Sequence, residues 1–140
     1  MKLAAGIGII HKDLILLAKR TEYWEGNPMP LGGYWSIFAG SLDINESFQD
    51  CAIRETYEES EIKIDNSQLV DGCMIKRNNL RFKIFFVELP YKPNPILNEE
   101  HTEFGWFDIN KLNKFPEKIQ NDLIKCIENY KNGVINILWN

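Results

Sequence analysis

The sequence predicts an α/β fold, a mixed central sheet between helices in an α/β/α sandwich. Short apolar or alternating runs bounded by Gly, Asn, Asp or Pro read as strands. Only two stretches keep helical spacing, one in mid-chain and one near the C-terminus. The 140 residues suit a single domain, 1–140, built around one core. Hydrophobic content of 44% and charged content of 26% are those of a soluble globular protein.

Residues 2–10, KLAAGIGII, read as a central strand in which Gly6 and Gly8 let a neighbour approach closely. His11, Lys12 and Asp13 make a short turn, and 14–20, LILLAKR, return as the second strand of a hairpin. Residues 21–34 form a long connection with Gly26, Pro28, Pro30, Gly32 and Gly33, and loops of this length are often functional. Two readings stand for its Tyr23 and Trp24. They pin the loop to the body, or they stack on a base or cover a pocket. Residues 35–38 are a short strand delivering the chain to Gly40.

Past the central helix, Ile62–Ile64 reads as a strand and Asp65-Asn66-Ser67 as a turn. Residues 69–76 and 80–89 read as two strands around a hairpin turn at Arg77-Asn78-Asn79. Arg81 and Lys83 alternate with Phe82, Ile84 and Phe86, which puts them on a polar face; a phosphate-facing role is the second reading. Three prolines make 90–98 an extended loop. Asp108–Leu112 is a short helical turn. Pro116 takes a first helical position in a helix carrying Ile119, Leu123, Ile127 and Tyr130 and stopped at Gly133. The apolar 134–139 segment reads as an extra strand or as an interface piece, the latter in keeping with a homodimer.

Composition excludes several functions. A net charge of −4 and a pI near 5.2 give nothing that draws the molecule to nucleic acid. No apolar run reaches membrane-spanning length and the N-terminus lacks a signal-peptide pattern, so a cytoplasmic location is expected, with no membrane partner. Three cysteines, Cys51, Cys73 and Cys126, with no CxxC suggest neither a disulfide framework nor a zinc site. Cys51 and Cys126 read as small core residues in helices.

The most informative stretch is 40–62, GSLDINESFQDCAIRETYEESEI. Glu55, Glu58 and Glu59 stand at helical neighbour spacings, where like charges destabilise a helix by a few tenths of a kcal/mol per pair. A hard divalent cation is the natural compensation. Arg54 can pair a carboxylate and fix its orientation. Phe48, Ala52 and Thr56 give the helix a buried side, Asn45 or Ser47 can cap its start, and Gly40 lets the backbone turn where a strand ends.

This stretch resembles the Nudix box: Gly40, five residues, Glu46, seven residues, Arg54-Glu55, then Glu58-Glu59 and Ile62. Two positions depart from the family pattern. Ala39 stands where a second glycine is usual, and Glu61 stands where glycine usually ends the helix, so a looser or reshaped helix end is expected. The segment from Glu99 to Phe107 is also similar to the family, with Glu-His a few residues before Trp106.

The resemblance implies the Nudix fold over nearly all of the chain, and a loop–helix element that binds Mg²⁺ or Mn²⁺ against a diphosphate. It implies metal ligation by Glu55, Glu58 and Glu59, with the Ala39 carbonyl and Glu100 beside them. Glu103 and Glu99 are the alternatives to Glu100. Arg54 would orient Glu55, Glu46 and Gly40 would hold the element together, and the general base would be Glu55 or Glu100. Tyr23, Trp24, Arg81 and Glu103 complete the candidate substrate-binding set. The implied reaction is hydrolysis of a nucleoside diphosphate derivative: a nucleotide sugar, a dinucleoside polyphosphate or a related nucleotide. The alternatives are a house-cleaning nucleoside triphosphate pyrophosphohydrolase and a module that senses a nucleotide without cleaving it.

Overall fold

A computed structural model describes residues 1–134 in full and 137–138 by their backbone. The core is a mixed eight-stranded sheet. Strands β1 (Lys2–His11) and β2 (Leu14–Arg20) leave their turn as an antiparallel pair, joined at Ile10↔Ile15 and His11↔Leu14. They then splay apart. The split is filled by a kinked segment whose first part, β5 (Trp35–Ser36), pairs with β2 and whose second, β6 (Phe38–Ser41), pairs with β1. The sequence reading had one strand at 35–38. The structure has two, because Ile37 is where the chain changes partner. The fork carries Ala39 and Gly40 into the middle of the sheet, against Gly6 and Ala5.

Strand β7 (Val70–Arg77) and β8 (Leu80–Glu88) form the expected hairpin, and β8 runs parallel to β1 from Lys2↔Leu80 to Ile10↔Glu88. Strand β9 (His101–Asp108) covers the outer edge of β2. Helix α1 (Phe48–Ser60) packs on one face of the sheet and α2 (Asn121–Lys131) on the other. Alternation assigns the faces: Ala5, Ile7 and Ile9 of β1 meet the α1 side, while Ile10, Ile15 and Leu17 meet the α2 side. A Cβ at Gly8 would lie 2.7 Å from the Phe86 ring, and that ring stacks on Tyr130 of α2 at 4.1 Å. The small residue in β1 thus makes room for an aromatic that seats a helix.

Several expectations are corrected. Residues 21–34 are not simply a connection. They hold a small hairpin, β3 (Tyr23–Trp24) with β4 (Asn27–Pro28), turned by Glu25 and Gly26 at φ of 50° and 81°. Two central residues at positive φ make the turn that suits a two-residue hairpin, and Glu25 hides that signal because the turn normally shows Asn or Asp there. Residues 62–64 form no strand; Ile62 and Ile64 instead bury their side chains against the α1-face core. Pro116 opens no helix, since α2 starts five residues later at Asn121. Glu61 does not loosen the end of α1. It takes the left-handed conformation itself (φ 59°) and its N–H donates to the Tyr57 carbonyl, so the family's usual stop is kept with a glutamate.

The cysteine reading also changes. Cys73 of β7 and Cys126 of α2 form a disulfide across 53 residues, leaving Cys51 free and buried. The pairing depends on which helix face lies over which strand, and an odd cysteine count without a motif carries no trace of it. In the 134–139 segment, β10 (Ile137–Leu138) pairs parallel with β7, as an extra strand; Ile135, Asn136 and Trp139 lie outside the described residues. No helix among the described residues is long and apolar enough to cross a membrane.

Candidate active site

The site forms where the fork in the sheet meets α1. Ser47 caps that helix, its side chain accepting from Asp50 N at 3.0 Å. Arg54 then binds the preceding loop to the helix. Its Nε and Nη2 donate to the two oxygens of Glu46, each at 2.8 Å, and Nη2 also donates to Ser41 O at 3.1 Å. Nη1 reaches Glu55 at 3.0 Å and Glu58 at 3.2 Å. Bidentate pairing of this kind fixes geometry as well as charge. The Arg54 guanidinium holds the Glu46 carboxyl down to about 2, and the same bonds push Arg54 further up.

Gly40 supplies a notch. A Cβ there would sit 2.1 Å from Glu55 Cδ, so the Glu55 carboxylate rests directly on the glycine backbone. The free Cys51 thiol lies beneath, donating to Gly40 O at 3.4 Å, and burial pushes it up to about 11.

The three box glutamates meet the protein differently. The Glu58 side chain is 51% exposed and held by Arg54. Glu55 is 14% exposed. Glu59 is 1% exposed and turns into the sheet, where its Oε1 accepts from Ala39 N at 3.3 Å. Burial raises the Glu59 carboxyl far above the usual range, and the carboxyl groups of Glu55 and Glu100 beside it raise it further. Glu59 Oε2 is buried next to these carboxyl groups with no hydrogen-bond partner of ordinary geometry. Among the described residues, no three or more His, Cys, Asp or Glu side chains stand close enough to grip a metal as they are. The donors nevertheless suit a hard dication in kind. They are carboxylates, one oxygen of which is buried and unpaired beside the glycine notch.

Glu100 reaches the α1 carboxylates from the loop before β9. Asn98 organises it: Nδ2 donates to Glu58 O at 3.2 Å and Glu100 Oε2 at 3.3 Å, and Oδ1 accepts from Glu100 N at 3.0 Å. Thr21 closes the other side, its N donating to Glu100 O at 2.9 Å and its Oγ1 to Glu99 O at 2.7 Å. These contacts bring Glu100 to Glu59. Glu103 instead stands opposite Lys19, and Glu99 is exposed. The Asn-x-Glu spacing at 98–100 was the one sequence signal for this turn. His101, buried and edge-on to Phe38 at 5.3 Å, follows at once; burial first, then the Arg20 charge, lowers it to about 4.

The remaining candidates lie further out. Tyr23 and Trp24 are 63% and 43% exposed, so neither pins its loop; backbone bonds from Met29 N to Glu22 O and from Gly33 N to Arg20 O do that. Arg81 spends Nη1 on the carbonyls of Arg77 and Leu80 at the end of its hairpin.

Among curated proteins, the chain is 34% identical over 64 residues to the NAD-capped RNA hydrolase NudC of Photorhabdus laumondii, covering 46% of this chain and 22% of that one. It is 30% identical over 95 residues to the uncharacterized Nudix hydrolase YvcI of Bacillus subtilis, covering 62% and 59%. The chain thus spans less than two thirds of either relative, and under a quarter of the first. The fold matches a MutT protein from Methanosarcina mazei with a TM-score of 0.74 at 17% identity, over 94% of both chains. It matches an ADP-ribose pyrophosphatase from Streptococcus suis with a TM-score of 0.70 at 17% identity, over 99% and 98%. A NUDIX domain model matches residues 2–130, and the chain belongs to the Nudix hydrolase family.

Proposed function

We propose that this chain hydrolyses the diphosphate linkage of a nucleoside diphosphate derivative, with Mg²⁺ or Mn²⁺. The observation that carries the proposal is the buried, unpaired Glu59 oxygen set beside Glu55, Glu100 and the Gly40 notch. Burial favours the neutral form of the Glu59 carboxyl, and a bound cation would instead stabilise its carboxylate. Glu55, Glu58 and Glu59, with Glu100 and the Ala39 carbonyl, would hold that ion, which when bound neutralises phosphate oxygens and activates the attacking water.

The chain's own residues do the rest. Arg54 keeps Glu55 on the notch, and Glu58 must leave Arg54 to join the set. Glu55 or Glu100 takes the proton of the attacking water onto a carboxylate oxygen. Asn98 and Thr21 hold Glu100 within reach of α1. The exposed Tyr23 and Trp24 offer flat faces on which a base can stack. The shared family and the activities of its relatives support a nucleotide substrate.

The test is a panel of a nucleotide sugar, ADP-ribose, a dinucleoside polyphosphate and nucleoside triphosphates, assayed with Mg²⁺ in ¹⁸O-labelled water and read by product mass. Release of a nucleoside monophosphate plus a phosphorylated fragment, abolished by chelator, is the expected result. Tight binding of one nucleotide with no cleavage of any would assign the chain to the sensing alternative.

A further inference from the structure

His101 opens β9 with its side chain wholly buried, and its Nε2 lies 4.0 Å from Glu59 Oε1. Neither ring nitrogen of His101 has a hydrogen-bond partner, and nor does Glu59 Oε2. A buried polar atom left unpaired costs on the order of 1–3 kcal/mol, and here three of them meet in one place. A phenylalanine would fill the same slot against Phe38 without that cost. The imidazole is therefore poorly explained as packing and well explained as a donor aimed at Glu59.

We propose that His101 is a positioning residue for Glu59: Nε2–H donates to Oε1, which already accepts from Ala39 N–H, and the two donors together turn Oε2 toward the cation site. The contact has to shorten from 4.0 Å by about 1 Å to reach ordinary N–H···O length. A neutral ring suits the task, because it orients the carboxylate without adding a positive charge that would oppose a dication. His101 itself touches neither substrate nor metal.

This inference rests on the metal-site reading of Glu55–Glu59, and the experiment separates the two. Mn²⁺ binding to the whole chain without substrate is followed by the electron paramagnetic resonance signal of the free ion, alongside the melting temperature of the metal-free protein. His101→Phe should weaken Mn²⁺ binding by about 10–100-fold, the usual cost of losing a group that orients a ligand, while the metal-free protein melts no lower. His101→Gln, which keeps an N–H near the same place, should recover most of the affinity. If His101→Phe does not fold, His101→Met replaces it. Unchanged Mn²⁺ affinity in the apolar variant overturns the role of His101, as do equal losses in the apolar and Gln variants. Glu59→Gln is the control: if it too leaves Mn²⁺ affinity intact, the metal-site reading falls; if it weakens binding while His101→Phe does not, only His101 is misassigned.

Discussion

The two faces of the sheet are built to different rules. On the α2 face, Trp35, Phe107 and Phe115 meet edge-to-face at 4.9–5.8 Å, and a disulfide joins β7 to the helix. Such aromatic pairs contribute roughly 0.5–1.5 kcal/mol each beyond the area they bury. On the α1 face, the helix turns Thr56 and Glu59 inward, and His101 joins them; all three are buried and carry unpaired polar atoms. One face favours cohesion, although Trp35 Nε1 is buried there without a partner too. The other gives up cohesion to keep carboxylate oxygens ready beside a glycine notch. Stability and chemistry are thus divided between opposite sides of one sheet, and substitutions should separate them.

The largest effect is expected at Glu59. Replacement by Gln should lower turnover by ~10²–10⁴-fold or more, the scale for losing a proton-transfer group or its equivalent. The metal-free protein should be as stable as the parent or slightly more so, because a buried carboxylate is removed. Turnover assays beside thermal melts check both halves. A Gln variant that unfolds yet turns over normally when folded would show the α1 face to be structural after all.

On the opposite face the pattern should invert. Cys73→Ser opens a link closing 53 residues, and the chain-entropy relation sets the loss near ~4 kcal/mol of unfolding free energy. Turnover at a temperature where the protein is folded should be unchanged. Denaturant titration with and without reductant gives the same comparison for the parent protein. Equal midpoints under both conditions would break it.

A smaller effect belongs to the loop that carries the site. Arg54 depresses the Glu46 carboxyl from an ordinary 4.5 to about 2. The folded-state value is below the unfolded one, so its stabilisation is complete above about pH 4.5 and is lost as pH falls toward 2. Glu46→Gln should flatten that acid limb of the stability curve. An acid limb identical in the two proteins would mean that the Arg54–Glu46 pair does not hold the loop in solution. The smallest change in stability is expected from Trp24→Ala, since Trp24 is 43% exposed. If Trp24 stacks on the substrate, KM should rise while kcat changes little.

The sequence alone was enough for features with short-range causes. The hairpin strands β1, β2, β7 and β8 and the box glutamates with Arg54 follow from spacing within one or two turns of chain, while the cap, open between Asn45 and Ser47 in the sequence, is Ser47 in the structure. Its distance from Trp106 also singled out Glu100, with Glu99 and Glu103 as alternatives. Tertiary structure decided what depends on distant partners. The fork that splits 35–41 between two strands exists because β1 and β2 diverge. The Cys73–Cys126 bond exists because α2 lies over β7. Glu100 rather than Glu103 faces the carboxylates because Asn98 and Thr21 fold its loop against α1 and β2. Even the three box glutamates, equivalent by helical spacing, become one exposed, one half-buried and one enclosed residue only when the sheet closes over the helix. Spacing along a helix fixes which side chains are neighbours. How deeply each is buried, and so how strongly its charge is felt, depends on what the rest of the chain lays against it.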